Sequence, residues 1–194
     1  MKQSVGAKTL AMPTPVWLVG TYDADNKPNI MTIAWGGICC STPPCVTVSL
    51  RRATHSYAAI EARKAFTISI PSAGQVAEAD FCGIASGRDT DKFDACNWTP
   101  VKSELVDAPY VSEAPLVIEC RLLHTLEIGL HTQFVGEIVD IKADETVLGA
   151  KGYPDITRVK PFIWDSAHRR YFGLGDYLGT AWEIGKTITT EEQP

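Results

Sequence analysis

Long apolar runs are missing from this chain. Nowhere in its 194 residues does a hydrophobic stretch approach the roughly 20 residues that a membrane-crossing helix needs. Positive charge is also scarce: 18 Lys and Arg stand against 23 Asp and Glu, for a net charge of −5 and a pI near 5.4. That balance excludes nucleic-acid binding by the charge of the whole chain. The six cysteines, at 39, 40, 45, 82, 96 and 120, contain no CxxC pair, which argues against a thioredoxin motif or a structural zinc site. There is no Walker loop, no Gly-x-Ser-x-Gly elbow and no HExxH. Gly173, Gly175 and Gly179 have the wrong spacing for a dinucleotide loop, and no βαβ unit surrounds them. Met1 to Leu10 carries two lysines without a following apolar stretch, so it lacks the shape of a signal peptide. The expectation is a cytoplasmic protein, away from membranes, with free thiols and no metal site.

What is present suits a packed core. Hydrophobic residues make up 45% and charged residues 21%, ordinary values for a globular protein. The length predicts a single domain over 1–194, with a peripheral polar tail from about 187.

Strand signals dominate. Val16 to Tyr22 and Asn29 to Trp35, joined by the turn-like DADNKP, read as a hairpin. Ser41 to Pro44 breaks the chain, Cys45 to Leu50 reads as a third strand, and Ala65 to Ile70 as a fourth. Between these two, a helix capped by Thr54 or Ser56 is predicted. Gln75 to Ala85 has helical composition, and Gly87 to Pro100 reads as loop or short helix. The strongest β signals are Leu116 to Leu126 and Leu130 to Lys142. In the former, alternation puts Leu116, Ile118 and Cys120 on one face and Val117, Glu119 and Arg121 on the other. Phe162 to Trp164 and Arg170 to Leu174 are shorter candidates. Many strands, two clear helices and no β-α-β order predict a mainly β fold, an antiparallel barrel with helical insertions.

Three segments carry chemistry. NIMTIAWGG, then STPP, then VSLRRATHSY runs from Asn29 to Tyr57. GLHTQFVGEIV covers Gly129 to Val139, and YFGLGDYLGTAWEIGK covers Tyr171 to Lys186. In this order and spacing they resemble the flavoredoxin and flavin reductase-like proteins, the FMN-binding split-barrel family. The resemblance implies a Greek-key split β-barrel, bound FMN and a homodimer. Leu130 departs from the pattern, because many members carry Asp before the histidine. The doublet Cys39-Cys40 is not a family requirement.

The residues support the implied cofactor one by one. Arg51, Arg52 and the Ser56 cap suit a dianionic phosphate, since a helix start offers free N–H groups and arginine a planar fork; His55 adjoins that cap. Ser49 is the first residue of the Ser-x-Arg strand end. Thr32 and Ala34 share one strand face, where small residues admit a flat ring, and Asn29 lies on the other face with an amide able to read a polar edge. Trp35 and Trp164 are candidate covers for the ring. By the resemblance, Lys92 reaches the flavin from a loop and His131 sits beside the ring and the electron donor or acceptor. Cys40, or Cys39, is a candidate redox thiol.

The leading expectation is an FMN-binding electron carrier of the flavoredoxin type, with a redox protein or NAD(P)H as donor. The alternatives are an NAD(P)H:flavin oxidoreductase that supplies reduced FMN to a monooxygenase, and a flavin-binding module without turnover.

Overall fold

Two hydrophobic layers, one on each side of a sheet, organise the chain. In the computed structural model, which describes residues 1–188, a short strand β1 (Thr14–Pro15) precedes β2 (Trp17–Tyr22) and β3 (Pro28–Ile33), the expected hairpin. Next come β4 (Gly36–Ser41), β5 (Pro44–Arg51), α1 (His55–Arg63) and β6 (Ala65–Ile70). The helix α2 (Val76–Ile84), the short α3 (Lys92–Ala95) and strands β7 (Pro100–Lys102) and β8 (Pro109–Val111) fill the middle. The long hairpin of β9 (Leu116–Ile128) and β10 (His131–Ala143) follows, then α4 (Ile156–Val159), β11 (Phe162–Asp165) and β12 (Arg170–Gly173).

Seven strands form one antiparallel sheet in the order β3-β2-β6-β9-β10-β5-β4. The sheet is not closed by hydrogen bonds, yet its two edge strands are consecutive in the chain: only Ala34 and Trp35 separate β3 from β4. The sheet therefore curls until its edges meet at a two-residue seam, and the Trp35 carbonyl accepts from the Ser49 amide of β5 at 2.8 Å. β1, β11 and β12 form a three-stranded sheet, and β7 pairs with β8. The mainly antiparallel, split-barrel expectation stands.

Alternation assigns the two layers. Val19, Phe66, Ile68, Ile118, Cys120 and Phe134 pack together on one face with Val46, Val48 and Leu50. Leu18 and Ile30 point the other way, into a cluster with Ala79, Cys82, Phe93, Trp98, Val111 and Phe162. Strands covered on both sides read as continuous apolar runs, which explains AFTISI in β6.

Several sequence expectations are corrected. The strand predicted to reach Trp35 ends at Ile33, which frees Ala34 and Trp35 to turn across the seam. Gly36–Ser41, which lies outside every expected strand, is an edge strand; its glycines and exposed cysteines carry little β signal. The alternation expected in β9 holds, and Glu119, on the face opposite Ile118 and Cys120, is fully buried because the second layer covers β9 as well. There the Thr67 hydroxyl donates to the Pro109 carbonyl, and the Ser69 hydroxyl accepts from the Val111 amide. No helix among the described residues is long and apolar enough to cross a membrane. Most of the tail expected from about 187 lies outside the described residues.

Candidate functional site

A groove opens along the seam. Its larger part encloses about 590 Å³, within the range of small-molecule sites. Thr32, Ala34 and Trp35 line it from β3 and the seam, Ser49 and Arg51 from β5, His131 from β10 and Trp164 from β11. Asp80, Gly83 and Ile84 of α2 and Arg169 and Tyr171 of the β11–β12 hairpin form the opposite side. A smaller depression of about 220 Å³ shares Met31, Thr54, Gly83 and Ile84 with it, so the two are one groove. This second part holds Asn29, His55, Ser56, Gly87, Arg88 and Lys92.

The wall of the larger part is aromatic. Trp35 and Trp164 meet edge to face with centroids 6.0 Å apart at 65°, a favoured geometry for aromatic pairs. The Trp164 carbonyl accepts from the Thr14 hydroxyl at 2.8 Å, which ties β11 to β1. Thr32 donates its hydroxyl to the Ala79 carbonyl, so it fastens α2 over the groove and leaves its methyl side against Gly83. His131 opens β10 directly after the two-residue turn Gly129-Leu130, opposite Arg51 on β5. Gly129 has φ +52°, the left-handed conformation that tight hairpin turns require at their first central position. That turn sets His131 at the groove.

The narrow part is polar and built around the start of α1. Thr54 holds the N-cap position, but its hydroxyl donates back to the Arg51 carbonyl at 2.9 Å and no side chain caps the helix. Ser56, expected as an alternative cap, is instead buried and accepts from Asn29 Nδ2 at 2.9 Å. The first turn of α1 therefore lines the depression with its positive dipole end uncapped by a side chain. Arg88 is held there by a bond from Nη2 to the Ala53 carbonyl at 3.0 Å. The loop above is pressed against Asn29: a Cβ on Gly87 would lie 2.1 Å from Asn29 Oδ1 and 2.9 Å from His55 Cδ2. His55 leans toward Asp23, with Nε2 3.7 Å from Oδ2.

Lys92 departs from expectation. It begins α3 rather than lying in a loop, and it is 4% exposed. Its ammonium donates to the carbonyls of Ile30 at 2.9 Å and Cys82 at 2.8 Å, binding β3, α2 and α3 together. A buried cation needs such partners. Burial pulls its pKa below the usual lysine value, while the neighbouring Cys82 and Cys96 act in the opposite sense. Cys40 stands apart on the exposed edge strand β4, outside the groove lining. No group of three His, Cys, Asp or Glu among the described residues could hold a metal ion.

Sequence reasoning missed Asp80, Gly83, Ile84, Arg88 and Arg169. Nothing in a helix of composition VAEADFCGI marks its groove side, and Arg169 is a turn residue with φ +56°. Tyr171 begins the closing stretch already singled out. Its hydroxyl donates to Asp80 Oδ1 at 2.7 Å, which fixes the outer side of the groove; burial, and then Asp80, push its pKa up. An apolar, aromatic slot that runs into an uncapped helix start flanked by Arg51 and Arg88 fits a planar ring with an anionic tail.

Comparison with known proteins agrees with this geometry. Residues 9–172 match the flavin reductase like domain family. A solved flavoredoxin of Desulfovibrio vulgaris (Miyazaki F) is 54% identical, with a TM-score of 0.91 over 95% of this chain and 100% of that one. A flavoredoxin from Methanosarcina acetivorans is 30% identical, with a TM-score of 0.91 over 97% and 99% of the two chains. The reductase component of a 4-nitrophenol 4-monooxygenase/4-nitrocatechol 2-monooxygenase from Rhodococcus opacus is 31% identical over 61% of this chain and 60% of its own length.

Proposed function

Because the chain belongs to the flavin reductase-like family, we propose that it holds FMN non-covalently in the seam groove and passes electrons as a flavoredoxin-type carrier. The observation that carries this reading is the continuity of the two parts of the groove, aromatic at Trp35 and Trp164 and cationic at Arg51, Arg88 and the start of α1. Bound FMN supplies reversible uptake and release of electrons. The residues supply place and environment. Arg51, Arg88 and the first-turn amides of α1 bind the phosphate. Asn29, held by Ser56, and the small residues Thr32, Ala34 and Ser49 admit the ring and satisfy its polar edge. His131 stands at the open side, where a donor or acceptor arrives. Lys92 acts from beneath, by fixing the backbone of β3 and α2, and His55 by packing under the Gly87 loop.

We also assign the working form as a cytoplasmic homodimer. Leu123, Leu126, Ile128 and Leu130 of the β9–β10 hairpin are exposed, as are Tyr177, Leu178 and Trp182 beyond β12. Past Leu122, whose amide donates to the Lys64 carbonyl, β9 pairs with β10 alone. An apolar hairpin with a free edge calls for a covering surface, and a second copy supplies one.

The purified protein should be yellow, or become so on addition of FMN; a colourless protein that takes up no FMN sinks the proposal. Adding NADH, NADPH and a reduced ferredoxin in turn then identifies the donor. Steady turnover of NAD(P)H with free FMN would make it a flavin reductase, a reading favoured by the accessible Arg169 side of the groove and the likeness to a reductase component. Failure of every donor to bleach the bound flavin would leave a binding module.

A further inference from the structure

Three of the six cysteines gather at the tip of one hairpin, away from the groove. Cys39 and Cys40 lie near the end of β4, Cys45 is the second residue of β5, and both Cys39 and Cys40 are exposed. Cys40 stands directly opposite Cys45 in the β4–β5 ladder. Directly opposed residues of an antiparallel pair have Cα atoms about 4.5–5.5 Å apart, inside the window of about 4.4–6.8 Å that a disulfide spans. The register slips by one residue between Ile38 and Cys40. Such a bulge sets two residues against one and re-aims their side chains, and here it brings Cys39 near Cys45 as well. Cys45 itself is 4% exposed. Burial, then the thiols of Cys40 and Cys39 and the Glu137 carboxylate, raise its pKa, so it rests as a thiol.

We propose that Cys40 and Cys45 form a reversible dithiol–disulfide couple that exchanges with low-molecular-weight disulfides. The exposed Cys40 is the attacking sulfur. Its thiolate bonds to one sulfur of the small disulfide, that S–S bond breaks, and one small thiolate leaves. Cys45 then gives up its proton and attacks Cys40 Sγ. The Cys40–Cys45 bond forms, the mixed disulfide breaks, and the second small thiolate leaves. The two cysteinyl protons end on the two small thiols. Two electrons pass from the protein to the small disulfide, and an excess of small thiol reverses the sequence.

A second close pair provides an internal contrast. Cys82 and Cys96 have Sγ atoms 3.8 Å apart, but Cys82 is buried and burial pushes both pKa values up. Neither of them is exposed, so this pair lacks an entry sulfur such as Cys40 provides.

The test treats the full chain with oxidised glutathione, alkylates the remaining thiols and locates the modifications by tandem mass spectrometry. The expected result is loss of two alkylatable thiols per chain, a Cys40–Cys45 linkage, and full recovery with dithiothreitol. Cys45→Ser should accumulate a glutathione adduct on Cys40; Cys45→Ala serves if the serine variant fails to fold. Cys40→Ser should lose the linkage, and Cys39→Ser should keep it. Retention of all thiols, a linkage through Cys39, or preferential oxidation of Cys82 and Cys96 overturns the proposal. None of these readouts depends on bound flavin.

Discussion

The Lys142 ammonium lies 3.2 Å from Oε1 of Glu119, a carboxylate with no solvent exposure, and 2.6 Å from Oδ2 of Asp140. Neither Glu119 oxygen receives a well-directed hydrogen bond, so the ion pair is what compensates the buried charge. Lys142→Ala should therefore destabilise the fold by roughly 3 kcal/mol, the lower end for stripping one partner from a buried pair, since Lys142 itself is partly exposed. Urea unfolding measures this. Glu119→Gln in the same background should recover part of the loss; no recovery would mean that Lys142 matters through its stem.

The same triad sets a pH window. The Lys142 hydrogen bond holds the Asp140 carboxyl below its usual range, and Asp140 holds the Lys142 ammonium above its own. A depressed carboxyl stabilises above its unfolded pKa of about 3.9 and loses that contribution as pH falls through the folded value. A raised lysine stabilises below its unfolded pKa of about 10.4 and loses it as pH rises through the folded value. The triad's contribution to stability should be flat between these limits and fall outside them. The Lys142→Ala variant should show less of both declines in a denaturation series across pH.

Gly87→Ala probes the cradle above Asn29. The new methyl would meet Asn29 Oδ1 at 2.1 Å, so either the loop or the amide must move. Overpacking of this kind costs about 1–3 kcal/mol. FMN affinity, followed by fluorescence quenching, should drop by about tenfold or more; unchanged affinity would remove Asn29 from the site.

Arg51 and Arg88 can be separated with two ligands. A charge-assisted hydrogen bond contributes about 1.5–3 kcal/mol, so loss of a phosphate contact should weaken FMN by about tenfold to a hundredfold. Riboflavin, which has no phosphate, should bind Arg51→Ala, Arg88→Ala and the parent alike. An equal loss for both ligands would place the arginine at the ring.

The apolar hairpin offers an assembly test. Leu126→Lys with Ile128→Lys puts charges on side chains that are each 54% exposed in the single chain, so folding should survive. Light scattering should report a monomer for the variant and a dimer for the parent. A parent that is already monomeric refutes the assignment.

Much of this architecture was legible in the residues. β9 and β10 announce themselves because β-branched and apolar residues persist over more than ten positions, and Gly129 marks their turn. β4 was hidden because Gly36, Gly37, Cys39 and Cys40 make an edge strand out of weak strand formers. The groove residues of β3 and β5 were found through their motifs. Asp80, Gly83 and Arg88 were not, because which side of α2 meets the groove depends on the Thr32 and Tyr171 contacts, which are distant in sequence. Lys92 was found but its burial was not foreseen: a loop lysine and a buried lysine bonded to two carbonyls look the same in one dimension.

The seam between Ile33 and Gly36 separates two kinds of closure. Elsewhere neighbouring strands of the main sheet are registered by hydrogen bonds, and a slip of one residue would turn a strand's side chains to the opposite face. At the seam the spacing is set by the covalent reach of Ala34 and Trp35, about 3.3–3.6 Å per extended residue. One residue inserted there would widen the slot beside Trp35 without disturbing any ladder of the sheet. Within this architecture, the gauge of the binding slot is thus a matter of loop length, open to change by insertion while the rest of the sequence stays as it is.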